Sequence, residues 1–362
     1  MIKSCYIHIP FCKNICSYCD FCKMYYNKDF IDKYLLSLEK EINLYYKNDL
    51  LNTLYIGGGT PSCLDEISLK KLFKIISIFK LNKTYEFTFE CNIEDINEKL
   101  LIFLKENKVN RISIGLQSFN KKYIEFMNRK YLNKKEITDK INLVKKYFNN
   151  INIDLIYGIN NETLKELQEE VDSFINLDVN HISLYSLILE DNTILKTKKY
   201  KEIDDDLNRK MYDYIRKTLK KNNYIHYEIS NFSKKGYMSK HNLCYWNNDN
   251  YYGFGLGSSG FVDNIRYTNT RSLNSYINGN YRYIKEKIDK KRNMEYEMIL
   301  NLRKIKGISK KNFYKKYNIN IKDVFDVSKL NENKYYFYIP KKYLFVENYI
   351  LCDFILERGL YV

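Results

Sequence analysis

Two absences limit what this chain can be. No stretch of its 362 residues approaches about 18 consecutive apolar residues, so a membrane-spanning helix is excluded. The first residues, MIKSCYIHIPFC, hold neither a long apolar segment nor an A-x-A cleavage site, so we expect no signal or transit peptide. We therefore expect a cytoplasmic protein, in a reducing compartment where clustered cysteines more often bind metal or do redox chemistry than form disulfides.

Proline is scarce, with 3 residues, whereas lysine, asparagine, isoleucine and tyrosine are abundant. This bias is typical of an AT-rich genome, and it explains both the net charge of +16 and the 36 tyrosines. The lysines are scattered among glutamates and aspartates and form no basic arm. We therefore expect no nucleic-acid partner, although a basic balance can indicate one.

Short β-rich segments alternate with segments of helical periodicity. The predicted strands are residues 5–9, 53–58, 85–90, 111–116, 151–158 and 181–189. Helical spacing of apolar residues covers 30–46, 68–79 and 134–148. Six such repeats predict a parallel sheet with right-handed crossovers. Polar residues at the carboxyl ends of several strands favour a barrel or partial barrel with its site on that face, and an open doubly wound sheet is the alternative.

The rest of the chain predicts a smaller unit. A helix near 204–222 and a strand at 225–232 end the repeats, and the Gly-rich segment 241–261 predicts a loop. A helical stretch at 294–317 follows, with strand-like segments at 335–340 and 343–359. We therefore predict a barrel over residues 1–233 and a mainly helical α+β domain over residues 234–362.

Four cysteines lie within CKNICSYCDFC, and three of them have the spacing C-x3-C-x2-C. Structural zinc sites usually need a second cysteine pair, and none follows Cys12, Cys16 and Cys19. Three thiolates on one tight loop suit three corners of a [4Fe–4S] cube. The fourth iron is then open to a substrate or cofactor. Zinc and free thiols are the alternatives.

The segment YIHIPFC-x3-C-x2-C resembles the signature of radical S-adenosylmethionine (SAM) proteins. The branch it resembles contains the oxygen-independent coproporphyrinogen III oxidase HemN and the haem chaperone HemW. The resemblance continues through GGGTPS, FECNI, RISIGLQSF, NRKY, IDLIYG, HISLYSL and HNLCYW, and so covers nearly the whole chain. It implies a radical SAM partial (β/α)6 TIM-like barrel with a smaller, mainly helical α+β domain.

The resemblance also implies roles for individual residues. Cys12, Cys16 and Cys19 would each ligate one iron, and SAM would chelate the fourth. The cofactor-binding residues that it implies around SAM are Tyr6, Tyr18, Gly58, Gly59, Thr60, Glu90, Gln117, Arg129 and Asp154. Among them the glycines let backbone amides approach a ligand closely, and Glu90 would accept from the SAM ammonium. A reduced cluster would pass one electron to SAM, giving methionine and a 5′-deoxyadenosyl radical.

Three features favour the chaperone branch over the oxidase branch. The oxidase carries a long N-terminal extension before its cluster loop, whereas the first cluster cysteine here is residue 12. The oxidase also has a fourth cysteine two residues after its third ligand, where this chain has Phe21. Cys22 lies one place further on, and we do not expect it to be a ligand. Finally, HNLCYW matches the HNxxYW motif associated with haem binding in HemW.

The motif HNLCYW supplies a candidate haem ligand. Neutral imidazole is a common axial ligand of haem iron, so we expect His241 to bind haem. The two aromatic residues that end the motif, Tyr245 and Trp246, would then flank the flat macrocycle. Cys244 is a second candidate, and a turn-capping role for His241 is the alternative. We expect His8 to be structural, and His181 and His226 give no clear signal.

The resemblance thus predicts a haem chaperone that binds haem, a [4Fe–4S] cluster and SAM. It would deliver haem to acceptor haemoproteins, including membrane-associated ones, and would take electrons from a donor such as flavodoxin or ferredoxin. One alternative is an oxygen-independent coproporphyrinogen III oxidase, which converts two propionates to vinyl groups. Another is a protein that binds SAM without cleaving it. The sequence does not decide whether SAM cleavage belongs to the function.

Overall fold

A computed structural model of the chain describes residues 2–356, in which strands and helices alternate as the sequence predicts. The strands are β1 (Ser4–Ile9), β2 (Phe11–Cys12), β3 (Met24–Tyr25), β4 (Leu50–Gly58), β5 (Lys80–Asn92), β6 (Arg111–Gln117), β7 (Ile151–Tyr157), β8 (His181–Ser186), β9 (Ile225–Glu228), β10 (Asn231–Ser233), β11 (Tyr252–Phe254), β12 (Ser259–Val262), β13 (Ile265–Asn269), β14 (Arg282–Lys287), β15 (Ile308–Ser309), β16 (Asn331–Glu332) and β17 (Tyr336–Tyr338).

The α-helices lie between these strands. They are α1 (Lys28–Tyr45), α2 (Glu66–Ile76), α3 (Glu98–Glu106), α4 (Lys121–Phe126), α5 (Lys134–Tyr147), α6 (Leu164–Asn176), α7 (Ile194–Thr197), α8 (Asp205–Lys221), α9 (Lys240–Trp246), α10 (Leu273–Ile277), α11 (Lys290–Leu302), α12 (Lys310–Tyr317) and α13 (Glu347–Leu351). Short 3₁₀ turns cover Pro61–Cys63, Ile93–Asp95, Ile321–Asp323, Lys341–Val346 and Cys352–Phe354. No helix within residues 2–356 is both long and apolar enough to cross a membrane.

Nine strands form the main sheet, in the order β11-β1-β4-β5-β6-β7-β8-β10-β9. The six strands from β1 to β8 in this order run parallel to one another. Their order follows the chain from one side to the other, without the reversal that defines a doubly wound sheet. The predicted six-stranded partial barrel is therefore confirmed. At its edges β11 runs parallel to β1, and β10 and β9 are antiparallel additions beside β8.

Alternation along the parallel strands separates the core from the site. On β6, Ile112 and Ile114 are fully buried in the main hydrophobic core, together with helix residues such as Leu101. The alternate residues of that strand, Arg111 and Ser113, line a cavity inside the barrel. Because successive strand residues point to opposite sides, one strand both anchors the helices and presents polar groups inward.

Two of the barrel helices begin at capping boxes. Asn133 accepts from the backbone of Glu136 at the start of α5, and the Glu136 carboxylate accepts from the backbone of Asn133 in return. Thr163 and Glu166 form the same pair at the start of α6. Each such cap satisfies backbone N–H groups that the helix leaves free, and a capping residue typically contributes about 1 kcal/mol.

In the described part of the chain, the residues after 233 form two smaller antiparallel sheets and five α-helices. The sheets have the orders β12-β13-β14 and β15-β17-β16. Strand β11 also comes from this part of the chain, yet it pairs with β1 in the main sheet. The mixed α+β character of this region matches expectation, and the domain boundary at residue 233 stays a prediction.

Three local predictions are wrong. The single strand at 225–232 is two antiparallel strands, β9 and β10, joined by a turn. The predicted loop at 241–261 begins instead inside helix α9, whose N-cap is Ser239. The strand-like segment 343–359 is helical up to Phe354, and its buried residues Leu344, Leu351 and Phe354 are seven and three residues apart, which is helical rather than strand spacing. Residues 357–359 of that segment lie outside the described residues.

Candidate functional site

A cavity of about 530 Å³ lies at the carboxyl ends of the parallel strands. Most residues that the sequence predicts for the cluster and SAM line it together. They are Cys12, Cys16, Tyr18, Cys19, Gly58, Gly59, Thr60, Glu90, Gln117, Arg129 and Asp154. Tyr6 and His241 are predicted site residues that do not line it. The cavity therefore gathers residues from the cluster loop and from β4, β5, β6 and β7 at one end of the barrel.

The cluster loop, residues 12–23, is fixed at several points along its length. At its base, the Tyr26 amide donates to the carbonyl of Cys12 at 2.8 Å. Its middle is fixed by Ser17, whose amide donates to the carbonyl of Met127 at 3.1 Å and whose carbonyl accepts from the Leu195 amide at 3.1 Å. The loop that carries the three cysteines is therefore hydrogen-bonded to Met127, which precedes α5, and to Leu195, which lies in α7.

The thiols of this loop sit in partly buried surroundings. Burial raises the pKa of Cys12 to about 11, and it also raises the pKa of Cys19. The Thr60 hydroxyl donates to Cys12 Sγ at 3.5 Å, and Arg129 Nη1 donates to Cys16 Sγ at 3.7 Å. A bare Cys12 thiol therefore stays protonated at neutral pH, and a bound cation such as iron is what favours the thiolate.

The donor set fits a cubane better than a single ion. Within residues 2–356, no three His, Cys, Asp or Glu side chains converge closely enough to hold one metal ion. A cubane takes one thiolate on each of three irons, so its thiols surround a shared space without converging on one point. Cys12, Cys16 and Cys19 all line one cavity, as the three corners of a cubane require.

The glycine run after β4 allows the backbone to pass directly beneath this site. Gly58 has a φ of +118°, and an added Cβ there would lie 2.7 Å from the ring of His8. An added Cβ on Gly59 would lie 2.9 Å from Cys12 Sγ. Only glycine fits these two positions. Gly59 is required by its close packing against the cluster loop, and Gly58 is required both by its packing against His8 and by its positive φ.

Glu90 faces the cavity from the end of β5. Its carboxylate accepts from the Tyr55 hydroxyl at 2.7 Å and from the Gly58 amide at 3.0 Å. Burial raises its pKa to about 7, and the neighbouring Asp154 adds to the rise. A bound ammonium group would offset this cost, because an adjacent positive charge favours the carboxylate.

Arg129 connects the cluster loop to the barrel. Its Nη2 donates to the carbonyl of Gly115 at 2.8 Å and to Asn92 Oδ1 at 3.1 Å. Burial lowers the pKa of this guanidinium, but Tyr18 and Cys16 more than offset that effect, so its pKa is raised. The group therefore stays charged beside the thiols.

Gln117 and Asp154 complete the wall on β6 and β7. Gln117 has a φ of +70°, and its buried Oε1 has no hydrogen-bond partner. Asp154 accepts from Asn152 Nδ2 at 2.8 Å, and burial raises its pKa. Unpaired buried polar atoms and strained backbone cluster at ligand sites, so this wall has the features of a surface that a ligand completes.

Tyr6, predicted to pack near the cluster and SAM, does not line the cavity and contacts His8 instead. The Tyr6 hydroxyl lies 3.0 Å from His8 Nδ1, and His8 Nε2 lies 2.7 Å from the carbonyl of Cys22. Because a carbonyl only accepts, His8 donates through Nε2 and accepts from Tyr6 through Nδ1. His8 is therefore structural, as expected, and it fixes the end of the cluster loop. Cys22 lies outside the cavity lining.

His241 lies in helix α9 and is 1% exposed. Its Nδ1 is 2.7 Å from the hydroxyl of Thr53, and its Nε2 is 2.8 Å from the hydroxyl of Tyr245. The Glu86 carboxylate accepts from the backbone amides of both Lys240 and His241 at 3.0 Å. Burial lowers the pKa of His241 to about 3. Both ring nitrogens of this neutral imidazole are occupied, at the end of the barrel opposite the cysteines.

Sequence reasoning missed the polar groups deeper in the same cavity. Arg111 is 2% exposed and lines the cavity, and its Nε has no hydrogen-bond partner. Asn242, the second residue of the predicted haem motif, lines the cavity as well. Strand alternation could have placed Arg111 inside, since it shares a face with Ser113 and Gly115.

Comparisons with known proteins now add to this geometry. The profile of the Radical SAM superfamily matches residues 6–174. The heme chaperone HemW of Lactococcus lactis is 38% identical over 89% of this chain and 87% of that protein. The heme chaperone HemW of Bacillus subtilis is 38% identical over 90% of this chain and 89% of that protein.

A solved structure is similar over nearly the whole chain. Coproporphyrinogen III oxidase (HemN) from Escherichia coli, described as a radical SAM enzyme, superposes with a TM-score of 0.85. The match covers 98% of this chain and 90% of the oxidase, at 19% identity. At that identity the likeness shows the fold alone.

Proposed function

Because this chain belongs to the HemW family of radical SAM proteins, we propose that it is a cytoplasmic haem chaperone that binds haem and delivers it to acceptor haemoproteins. The observation that carries the proposal is the 38% identity to HemW proteins over almost their full length. Two relatives at this level carry the name of a haem chaperone, whereas the likeness to the oxidase is one of fold.

We further propose that Cys12, Cys16 and Cys19 hold a [4Fe–4S] cluster. Three thiols of one loop that line one cavity support this assignment, and so does the fixed position of that loop. Arg129 stays charged and donates through Nη1 to Cys16 Sγ at 3.7 Å. When bound, the cluster supplies a low-potential electron, which a donor such as flavodoxin or ferredoxin would restore.

SAM is proposed to occupy the same cavity beside the cluster. Glu90 would accept from its ammonium group, and the glycine run would bring backbone amides against its amino-acid part. Gln117 Oε1, which has no partner, would accept from a ligand hydroxyl. These residues would bind SAM in one orientation and would exclude water from the part of the cavity that Glu90 and Asp154 line.

Haem binding is tested by titrating purified protein with haemin and following the Soret band. Delivery is tested by adding the haem-loaded protein to an apo-haemoprotein and measuring recovery of acceptor absorbance or activity. We expect one haem per chain and transfer to the acceptor. A chain that binds no haem contradicts the proposal directly.

The oxidase alternative is tested with the same anaerobic preparation. We expect no conversion of coproporphyrinogen to protoporphyrinogen, and clear turnover would replace the chaperone assignment. Formation of 5′-deoxyadenosine after reduction would show that SAM is cleaved. Its absence, with SAM bound, would assign a binding role alone to the SAM site.

A further inference from the structure

One buried cation inside the barrel has no partner in the described chain. Arg111, the first residue of β6, is 2% exposed and lines the cluster cavity. Its Nε is buried without a hydrogen-bond partner. Within residues 2–356, its guanidinium forms no ion pair and no hydrogen bond with another side chain or carbonyl. Burying a charge without a counterion is costly, so the site has the features of one that an anionic ligand completes.

Arg129 lines the same cavity and shows how a buried guanidinium is normally held. Its Nη2 donates to the carbonyl of Gly115 and to Asn92 Oδ1, and lies 3.6 Å from the carboxylate of Glu94. The protein thus supplies both acceptors and a counterion for Arg129 and neither for Arg111. The donors of Arg111 therefore remain available to a ligand.

The acidic residues of the cavity do not take the place of that ligand. Glu90 accepts from a hydroxyl and a backbone amide, and Asp154 accepts from an amide side chain. The charge of Arg111 reaches both only through space, where it opposes the rise that burial causes in the pKa of each carboxyl group. Asp20 and Glu190 also line the cavity, and neither pairs with Arg111.

The position of Arg111 along β6 separates it from the cluster end of the cavity. The strand residues Arg111, Ser113 and Gly115 all line the cavity. At about 3.3 Å for each strand residue, the backbone of Arg111 lies about 13 Å from that of Gly115. Gly115 is where the strand meets Arg129, which contacts Cys16. The amino-acid end of SAM is proposed to lie at the cluster, so Arg111 faces a different chemical group.

The part of the cavity near Arg111 lies against helix α9. Asn242, on this helix, lines the same cavity as the cluster cysteines. The charge of Arg111 also acts on the neighbouring His241, where it adds to the lowering of the pKa that burial causes. The cavity therefore extends from the cluster loop to the helix that carries HNLCYW, and Arg111 lies in the part nearer to the helix.

We propose that Arg111 binds a carboxylate of a second ligand of this cavity, and that in the haem chaperone this carboxylate is a haem propionate. A planar guanidinium matches a carboxylate with two parallel hydrogen bonds. The cavity holds about 530 Å³, room for one small ligand such as SAM, so a second ligand enters with an arm rather than with its whole body. The identity of the ligand rests on the proposed haem-chaperone function, whereas the carboxylate site rests on Arg111 alone.

The contact is tested by titrating cluster-loaded protein with haemin and with its dimethyl ester, which lacks the carboxylates. In Arg111→Gln we expect about tenfold weaker binding of haemin, equivalent to about 1.4 kcal/mol, and unchanged binding of the ester. Arg111→Lys keeps the positive charge and should recover part of the loss. Arg209→Gln, at an exposed position on α8, is the matched control and should bind both probes as the unmodified chain does.

A second measurement separates this role from SAM binding and from a merely structural role. SAM binding, followed by equilibrium dialysis, should be unchanged in Arg111→Gln, and circular dichroism establishes that each variant is folded. Loss of SAM binding in a folded Arg111→Gln would assign the residue to the SAM site and overturn the inference. Equal weakening of haemin and its ester would also overturn it, because the carboxylates would then play no part.

A small probe makes the test of Arg111 independent of haem. Sodium propionate, compared with propionamide at equal ionic strength, should raise the melting temperature of the unmodified chain and not that of Arg111→Gln. If the unmodified chain binds no haemin, the proposed function fails, and the effect of propionate still decides whether Arg111 binds a carboxylate.

The remaining outcomes identify the source of the carboxylate. If Arg111→Gln binds haemin normally but has lost the effect of propionate, the site takes a small carboxylic acid and the part of the inference that names haem is overturned. If Arg111→Gln binds haemin normally and propionate stabilises neither protein, the function stands and the carboxylate site is rejected.

Discussion

Replacing Glu90 with glutamine should remove a pH-dependent cost from the folded protein. The Glu90 carboxyl group is buried between Tyr55 and Gly58, and burial raises its pKa from 4.5 to about 7. In the unfolded chain the group ionises near pH 4.5. Between these pH values the folded state binds more protons, so the free energy of unfolding falls as pH rises.

The magnitude follows from the two pKa values. A difference of about 2.5, from 4.5 to about 7, corresponds to about 3 kcal/mol at 1.36 kcal/mol for each pKa unit. This stability is fully present below pH 4.5 and is lost as pH rises through about 7. Glutamine cannot ionise, so Glu90→Gln lacks this part of the pH dependence.

Glutamine also changes the hydrogen bonds, in a way that does not depend on pH. The carboxylate of Glu90 accepts from both Tyr55 and Gly58, whereas a glutamine has one oxygen and can accept from only one of them in this geometry. The unmatched donor costs about 1–3 kcal/mol at every pH. The offset between the two proteins is therefore less informative than how that offset changes with pH.

The assay is urea unfolding from pH 4.5 to pH 8, followed by circular dichroism, on protein without cluster or SAM. We expect the stability of Glu90→Gln relative to the original chain to rise by about 3 kcal/mol across this range. Glu106→Gln, at an exposed position on α3, is the control and should show no such change. If the difference in unfolding free energy between Glu90→Gln and the original chain does not change with pH, the claim that ionisation of Glu90 destabilises the folded protein is refuted.

Three further predictions concern the cluster loop. In Gly59→Ala the new Cβ would lie 2.9 Å from Cys12 Sγ, so the iron and sulfide content should fall. The control is Gly236→Ala, where a new Cβ would have nothing within 4 Å but the φ of +90° is strained, so it should lose only about 1–2 kcal/mol of stability and keep its iron. Equal iron contents in the two variants would contradict this prediction. Cys16→Ser should lose the cluster, and Cys22→Ser should keep it, as measured by iron and sulfide analysis; the reverse result would reassign the ligand. Arg129→Lys loses the two bonds made by Nη2, so its unfolding free energy should be about 1–3 kcal/mol lower in urea titrations, and an unchanged value would show that this contact is dispensable.

The barrel could be predicted from the sequence because its signals are local. Each parallel strand is a short β-rich run, and the polar residues at its end, such as Glu90 and Asp154, indicate which face carries the site. The glycine run and the cysteine spacing are equally local. The structure adds the reason for the glycines, since Gly59 leaves room for Cys12 Sγ.

Helix α9 was not predicted, although Ser239 caps it locally, because its first turn also depends on a group that is distant in sequence. The carboxylate of Glu86, on β5, accepts from its first two backbone amides, and the Gly-rich residues after it favour a loop. The segment after residue 343 was predicted as a strand instead of a helix for another reason. Its aromatic and β-branched residues favour strands, and only the burial of Leu344, Leu351 and Phe354 in the folded chain selects the helical spacing.

The central claim is that Cys12, Cys16 and Cys19 hold a cubane with one iron open to SAM. The direct measurement is iron and sulfide analysis of anaerobically prepared protein, with electron paramagnetic resonance of the reduced state before and after SAM is added. The account predicts about four irons and four sulfides per chain and a signal that SAM alters. Zinc in their place, iron without sulfide, or a signal indifferent to SAM would contradict it.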